Sequence, residues 1–217
     1  SNRNMKTRKI RTALYNVLPG EKAHALMAPR PKYIEGIEGV HPCPPVNSAI
    51  LALIVPFENE LALPLIKRVN RGKYHGGQIA FPGGKMEKED ADALQTALRE
   101  CHEEIGVPEE KVSILGVLSD IYIPLSNFNI TPIVGTTLQL PDFILSQDEV
   151  EKVILVKLRD LFDDRNKTTH SFVRHDHKII APGYKIGENF IWGATAMIIA
   201  ELEQLMKTNT FNHLGKL

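Results

Sequence analysis

Residues 78–107 read QIAFPGGKMEKEDADALQTALRECHEEIGV, and the rest of the chain is organised around this stretch. Apolar residues of its second half recur at helical spacing and share one face, and these are Leu94, Leu98, Cys101 and Ile105. We expect a helix from residue 91 onward, with this face in the core. A thiol on such a buried face is expected to be inert.

Three glutamates of the predicted helix lie beside its apolar stripe, namely Glu100, Glu103 and Glu104. At about 100° per residue, they fall within roughly a third of the helix circumference. Like charges this close destabilise a helix by roughly 0.2–0.5 kcal/mol per pair, and a bound cation offsets that cost. Mg²⁺ and Mn²⁺ prefer oxygen ligands. The cluster therefore predicts a metal site, although a solvated acidic helix face has the same pattern.

The residues at the two ends of the helix match its expected boundaries. Asp90 is a good N-cap, and Gly106 supplies the left-handed residue that commonly ends a helix. Upstream, Pro82-Gly83-Gly84 is expected to turn the backbone tightly, so that a carbonyl oxygen faces the carboxylates. A backbone oxygen and several carboxylates would then surround one point.

From Gly84 to Val107 the chain resembles the Nudix box. In this phosphohydrolase signature a glycine and a glutamate precede Arg-Glu, an apolar residue, any residue, Glu-Glu, any residue, Gly and an apolar residue. Residues 99–107, RECHEEIGV, match the second half, with Cys101 in the apolar position. The first half has one inserted residue, and Asp90 stands where the first glutamate is expected.

The resemblance implies a role for each polar residue of the box. Glu100 and Glu104 would be the main ligands of Mg²⁺ or Mn²⁺, and Glu103 would be a further ligand or the base. The Gly83 carbonyl would be a backbone ligand. Arg99 would pair with a neighbouring acid and fix the glutamates. The catalytic residues implied are Glu103, Glu104 and Arg99, and two later acids, Glu149 and Glu151, are alternative bases.

The segment before the box is similar to the extra motif of the coenzyme A pyrophosphatase branch of this family. Lys67, Val69 and Lys73 depart from the residues usual in that motif. The resemblance implies cleavage of coenzyme A or acyl-CoA to 3′,5′-ADP and (acyl-)4′-phosphopantetheine. The substrate-binding residues implied are Arg68, Lys73, His75, Gln78 and Phe81.

Two other interpretations of the box remain open. One keeps the reaction but changes the substrate to ADP-ribose, a dinucleotide or a nucleoside triphosphate. The other is a non-catalytic Nudix scaffold that binds a nucleotide or a partner. The complete set of glutamates favours an enzyme. Similar proteins often dimerise, so a homodimer is also open.

Composition excludes several classes of partner. The 217 residues include 26 Lys plus Arg and 26 Asp plus Glu, so no overall cationic field draws the chain onto nucleic acid. Two cysteines, Cys43 and Cys101, are too few for a disulfide framework, which indicates a reducing, cytoplasmic location. The apolar runs are shorter than the roughly 20 residues that span a bilayer, so we expect no membrane insertion.

The fold expected is an α/β/α sandwich with a mixed central sheet, which the resemblance also implies. Apolar runs at 49–57 and 60–68 predict a hairpin, and residues 168–173 and 177–180 predict a second one. Helices are expected at 5–18, 21–27 and 191–206. Trp192 is expected in the core, the alternative being a platform on which a base stacks. We divide the chain into a helical and Pro-rich extension, 1–45, and a Nudix domain, 46–217. The histidines at 170, 175 and 177 are expected in an exposed turn and not around a metal.

Overall fold

The computed structural model describes residues 2–31, 43–69, 78–174 and 176–210. The strands of the main sheet are β1 Val46–Phe57, β2 Glu60–Arg68, β3 Ile79–Ala80, β4 Gly83–Lys85, β5 Ser113–Val117, β6 Ile121–Ile123, β7 Phe128–Thr136 and β8 Val150–Lys157. A smaller antiparallel sheet contains β9 Lys167–Arg174, β10 His177–Ile186 and β11 Asn189–Trp192. The helices are α1 Asn2–Leu14, α2 Glu21–His24, α3 Ala93–Ile105, α4 Leu158–Leu161 and α5 Ala194–Thr210.

Strand β1 lies at the centre of the main sheet. It pairs in parallel with β7 and antiparallel with β2 and β4, so the sheet is mixed, as expected. The predicted hairpin of β1 and β2 is confirmed. Its turn residues, Glu58 and Asn59, both have positive φ (47° and 64°), which matches the twist of the flanking strands.

Both faces of β1 are buried, which explains its continuous apolar run. Leu51 and Leu53 face the cluster that contains the apolar side of α3. Ala52 and Ile54 face the cluster that contains α5. Because side chains alternate along a strand, one sequence segment supplies the centre of both cores. The result is the α/β/α sandwich that the sequence predicts.

The N-terminal helix packs on the α5 side of the sheet. Ile10 and Leu14 are buried there, as their helical spacing predicts. The helix ends at Leu14, earlier than expected, and Val17 is consequently 94% exposed and not on the packed face. His24 of α2 is also buried, with Nε2 2.5 Å from Oε2 of Glu201. The division at residues 45 and 46 stays a prediction.

The last predicted helix begins three residues too early. Ile191 lies in β11 and pairs with Tyr184 of β10, and α5 begins only at Ala194. Gly193, with φ 69°, separates the strand from the helix.

The hairpin of β9 and β10 is confirmed and longer than expected, while His175 lies outside the described residues. None of the helices described is long and apolar enough to cross a membrane.

Candidate active site

The three glutamates of α3 differ sharply in exposure. The side chain of Glu104 is fully buried, that of Glu100 is 14% exposed and that of Glu103 is 55% exposed. The apolar stripe of α3 packs against β1, so the glutamates lie along the edge of this contact. The helix therefore presents an inner, a middle and an outer carboxylate.

Glu104 is the inner carboxylate and is held from two sides. Its Oε1 accepts a hydrogen bond of 2.7 Å from the Gly83 N–H, and its Oε2 lies 3.6 Å from Nη1 of Arg68. Oε2 has no hydrogen-bond partner among the described residues. Burial raises the pKa of Glu104 to about 7, against the opposing effects of Arg68 and the Gly83 N–H. This buried oxygen is available to a cation or a proton.

Gly83 and Gly84 do not form the tight turn that we expected. They lie in β4, paired antiparallel with β1. A Cβ on Gly83 would lie 2.4 Å from the carbonyl oxygen of Ala49. A Cβ on Gly84 would lie 2.2 Å from Oε1 of Glu100. Glycine is needed here because a strand and a carboxylate approach the backbone closely, not because the chain reverses.

The Gly83 carbonyl has a different partner from the one expected. It accepts a hydrogen bond of 3.1 Å from Nη2 of Arg68, while the Gly83 N–H faces Glu104. Arg68 therefore bridges the carbonyl and the inner carboxylate. A role for this carbonyl as a metal ligand stays a prediction.

Arg99 connects the middle and outer carboxylates to the loop before α3. Nε and Nη2 donate to the two oxygens of Asp90 at 3.0 and 2.9 Å. Nη1 donates to Glu100 at 3.1 Å and to Glu103 at 3.2 Å. Nη2 also donates to the Lys85 carbonyl at 3.1 Å. The guanidinium thus holds both glutamates at fixed positions relative to the loop.

Asp90 is not the N-cap of α3. Asp92 caps the helix by accepting a 2.9 Å hydrogen bond from the Gln95 N–H. Asp90 instead receives Arg99 and the hydroxyl of Thr96, the latter at 2.9 Å. The hydrogen bonds from Arg99 hold the pKa of Asp90 well below its usual range. The place of Asp90 just before the helix predicted a cap. Its pair with Arg99 was not predicted, because the two residues are nine positions apart and no local sequence pattern relates them.

The two alternative bases occupy different surroundings. The charge of Glu149 contributes to the raised pKa of both Glu100 and Glu104, so this exposed carboxylate is within electrostatic range of the acid cluster. For Glu100 and Glu104 themselves, burial is the larger cause of that shift. Glu151 is paired with Lys67 at 2.9 Å. Of these two acids, Glu149 has the surroundings of a site residue.

The predicted substrate-binding residues divide into three groups. Arg68 lies at the acid cluster, and Gln78 lines a cavity of about 380 Å³ beside β11. Phe81 is 1% exposed and packs in the core, so the prediction that it contacts substrate is not supported by its position. It follows β3 as the chain enters β4, and this brings its side chain inside. Lys73 and His75 lie outside the described residues.

Trp192 does not lie where the sequence predicts, whereas Cys101 does. Trp192 is only half-buried and lines the same cavity as Gln78, so the expected core position is wrong. Its neighbour Phe190, which the sequence did not single out, lines the cavity too. Cys101 is buried as expected, and burial raises the pKa of its thiol to about 12.

The donor set of the cluster suits a hard divalent cation, although the side chains are not closed around one. In the part of the chain that the structure describes, no three His, Cys, Asp or Glu side chains are arranged as a metal site. Arg99 forms ion pairs with Glu100 and Glu103, and Arg68 forms one with Glu104. Oε2 of Glu104, which has no hydrogen-bond partner among the described residues, and the Glu100 carboxylate, which lies against the backbone of Gly84, are oxygen donors of the kind that such an ion prefers.

Comparisons with known proteins bear on the family and the fold of this chain. The family model of the NUDIX domain matches residues 47–175. The protein named Uncharacterized Nudix hydrolase NudL from Enterobacter sp. (strain 638) is 34% identical over 161 residues, covering 72% of this chain and 82% of the relative. The protein of the same name from Pectobacterium atrosepticum is 35% identical over 158 residues, covering 72% and 80%.

A solved structure gives the same result for the fold. The MutT protein from Methanosarcina mazei Go1 superposes with a TM-score of 0.51 at 16% identity, covering 78% of this chain and 98% of that one. A likeness at this identity bears on the fold alone. The family match over more than half of the sequence and the relatives at 34% and 35% identity show that this chain belongs to the Nudix hydrolase family.

Proposed function

We propose that this Nudix hydrolase cleaves the diphosphate of coenzyme A or an acyl-CoA to 3′,5′-ADP and (acyl-)4′-phosphopantetheine, with Mg²⁺ or Mn²⁺. The observation that carries the metal-dependent reaction is the buried Oε2 of Glu104, which has no hydrogen-bond partner among the described residues and only a long ion pair of 3.6 Å to Arg68. The coenzyme A substrate is supported by the segment from Leu65 to Gly84, which resembles the motif of that branch.

Glu100 and Glu104 are the residues that would hold the metal, with Glu103 at the exposed rim. Oxygen ligands of this kind are those that Mg²⁺ and Mn²⁺ prefer. A divalent ion bound there supplies charge neutralisation for the diphosphate and activation of the attacking water. The Glu104 carboxylate is buried and only partly compensated by Arg68 and the Gly83 N–H, so a cation bound there would further stabilise its charged form.

The other side chains position the reactants. Arg99 fixes Glu100 and Glu103 through the loop at Asp90. The Arg68 guanidinium, 31% exposed, lies beside Glu104 and carries a positive charge towards which a phosphate oxygen can be drawn. These contacts supply orientation, which lowers the barrier by fixing the reacting groups in advance.

The reaction consumes one water. Its oxygen forms a bond to one phosphorus, the bridging phosphorus–oxygen bond breaks, and the departing phosphate keeps the bridging oxygen. Glu103, half exposed at the rim of the cluster, is the residue that we assign to accept the proton of the water. Glu149 is the alternative acceptor, because it lies within electrostatic range of the same cluster.

Product analysis tests the substrate directly. The protein is incubated with coenzyme A and Mg²⁺ or Mn²⁺ and the products are separated, in parallel with ADP-ribose, a dinucleotide and nucleoside triphosphates. We expect 3′,5′-ADP and 4′-phosphopantetheine, with the highest kcat/KM on coenzyme A or an acyl derivative. Efficient cleavage of another nucleotide without cleavage of coenzyme A would reject the substrate but keep the reaction. No cleavage of any of them would favour the non-catalytic scaffold.

A further inference from the structure

The cavity that Gln78 lines has no part in holding the metal. This open cavity, of about 380 Å³, is bordered by the end of β2, by β3 and by β11. Two aromatic rings, Phe190 and Trp192, form one side of it. Lys67, Ile79 and Asn189 contribute elsewhere around the opening. The mixture of flat rings, an amide and an ammonium group is that of a small-molecule site.

The two rings are already fixed in orientation. Ile191 between them is buried, and because side chains alternate along a strand, Phe190 and Trp192 share the opposite face of β11. Phe190 stacks on His170, with ring centroids 3.7 Å apart and planes 18° apart. Trp192 meets Phe172 edge-on at 4.9 Å. A ligand that stacks on such rings does not have to order them first.

The backbone of the hairpin makes room for this arrangement. Gly183 of β10 lies opposite Trp192, and a Cβ there would be 2.8 Å from Cζ of Phe190 and 2.3 Å from the Ile191 carbonyl oxygen. The absence of a side chain at Gly183 therefore leaves the Phe190 ring free to lie against the strand and reach His170. Glycine inside a strand usually weakens the strand. Its presence at position 183 is explained by the close approach of the Phe190 ring, which leaves no room for a side chain.

The charged groups at the opening suit a phosphorylated ligand with hydrogen-bond donors. The Lys67 ammonium is 31% exposed and pairs with Glu151, which is itself about half exposed. Exposed pairs of this kind are weak, so a phosphate can replace the carboxylate as the partner of Lys67. Glu188 also lines the cavity, and it offers acceptors for a ribose hydroxyl or an exocyclic amine, as does Asn189.

The cavity and the acid cluster are joined by two short stretches of chain. Lys67 of the cavity and Arg68 of the cluster are consecutive in β2. Ile79 of the cavity precedes Gly83 of the cluster by four residues, a separation of at most about 14 Å in extended chain. Because consecutive strand residues face opposite sides of a sheet, a ligand that places a ring in the cavity has to carry its phosphate chain around this end of β2 to reach Glu104.

We propose that this cavity binds the adenine ring of the substrate against Phe190 and Trp192, with a ribose phosphate on Lys67. The inference rests on the proposed function, because it identifies which end of the diphosphate substrate the chain recognises. Base recognition here is by stacking, with the diphosphate held separately at the acid cluster. The pantetheine end of coenzyme A would then extend away from the hairpin.

Trp192 is the single tryptophan of the chain, so its fluorescence reports on the cavity. The full chain is titrated with adenosine 3′,5′-bisphosphate in the presence of EDTA, with excitation at the red edge of tryptophan absorption. We expect saturable quenching by this ligand and by coenzyme A, and no change with 4′-phosphopantetheine. Because a base stacked on an aromatic ring binds about 5- to 150-fold more tightly, Phe190→Leu should raise the Kd by at least about 5-fold.

Variants distinguish a loss of ligand binding at the cavity from a general loss of folding. Lys67→Ala is expected to raise the Kd for the bisphosphate more than the Kd for adenosine. The matched controls are Lys178→Ala and Tyr15→Leu, which change exposed residues outside the cavity and should leave both values unchanged. Thermal unfolding of each variant shows whether Phe190→Leu is folded. If it is not, Lys67→Ala alone decides the matter.

The binding measurements and the hydrolysis measurements can reject this site and the proposed reaction separately. Quenching that does not saturate, or a Kd that is the same in wild type, Phe190→Leu and Lys67→Ala, would reject the cavity as the base site. Saturable binding of the bisphosphate without hydrolysis of coenzyme A would reject the proposed reaction and keep this site. Hydrolysis of coenzyme A without any effect of Phe190→Leu on its KM would reject the site and keep the reaction.

Discussion

Arg99 and Asp90 form a two-point pair, with Nε–Oδ1 at 3.0 Å and Nη2–Oδ2 at 2.9 Å, across nine residues of chain. The remaining nitrogen of Arg99 reaches Glu100 and Glu103. Asp90 is therefore the anchor that determines where the guanidinium lies, and the guanidinium determines where two of the three glutamates lie. Asp90 thereby controls the positions of two of the glutamates that we propose as the metal site.

Replacing Asp90 tests this control. Asp90→Ala leaves Arg99 without its anchor, and we expect a loss of about 2–3 kcal/mol in the free energy of unfolding. The misplaced glutamates should lower kcat/KM by about 10- to 100-fold. Chemical denaturation and steady-state kinetics measure the two effects. Asp92→Ala is the control, because it removes a helix cap while Arg99 keeps its partner, so stability should fall without a comparable loss of activity.

The same pair predicts part of the acid sensitivity. Arg99 lowers the folded-state pKa of Asp90, so the stabilisation is complete above the unfolded-state pKa of about 4 and is lost as pH falls below it. Between about pH 4 and pH 2, Asp90→Asn should therefore lose less unfolding free energy than wild type. Parallel slopes for the two proteins in acid denaturation would contradict the assignment of Asp90 as the charged anchor.

Gly83 and Gly84 provide a matched pair of substitutions. At Gly84 the added methyl group meets the end of the Glu100 side chain, which can move aside. Gly84→Ala should therefore fold with nearly unchanged thermal stability but bind Mn²⁺ and turn over substrate at least about 10-fold less well. At Gly83 the methyl group meets the backbone of Ala49 and Ile50, so Gly83→Ala should be strongly destabilised. An unstable Gly84→Ala together with a stable Gly83→Ala would contradict the observed strand pairing.

Glu103 and Glu149 are distinguished as bases by their glutamine variants. If Glu103 accepts the proton, Glu103→Gln should lower kcat by about 10²- to 10⁴-fold with little change in KM, and Glu149→Gln should have a much smaller effect. Glu110→Gln, at an exposed position beyond α3, is the control and should match wild type. The opposite order of effects would transfer the base to Glu149, and equal small effects would exclude both.

The sequence predicted the parts of the site that depend on local spacing. The stripe of α3, the acid cluster beside it and the helix end at Gly106 follow from residues three or four apart, and each is observed. The Asp90–Arg99 pair depends on how a loop folds back onto a helix, and helical periodicity carries no information on that. The glycines of β4 were misread because glycine serves tight turns and close approaches equally well.

Pairing of β11 with β10 explains why the start of α5 and the position of Trp192 were predicted wrongly. Ile191 continues the apolar spacing of α5, so a strand running directly into a helix looked like one long helix. Trp192 was then placed in the core, although pairing of β11 with β10 turns it towards the cavity. Strand pairing between distant segments, which the sequence pattern does not encode locally, decides the face on which such a residue lies.

We propose that Glu104 makes diphosphate hydrolysis metal-dependent, and Glu104→Gln tests this by removing the charge while keeping the size of the side chain. Mn²⁺ binding by calorimetry and hydrolysis of coenzyme A are measured at pH 8 for this variant and for wild type. We expect binding to weaken at least about 10-fold and kcat/KM to fall by about 10²- to 10³-fold, with thermal stability retained because the substitution removes a buried charge. Unchanged Mn²⁺ binding together with unchanged turnover would contradict the account.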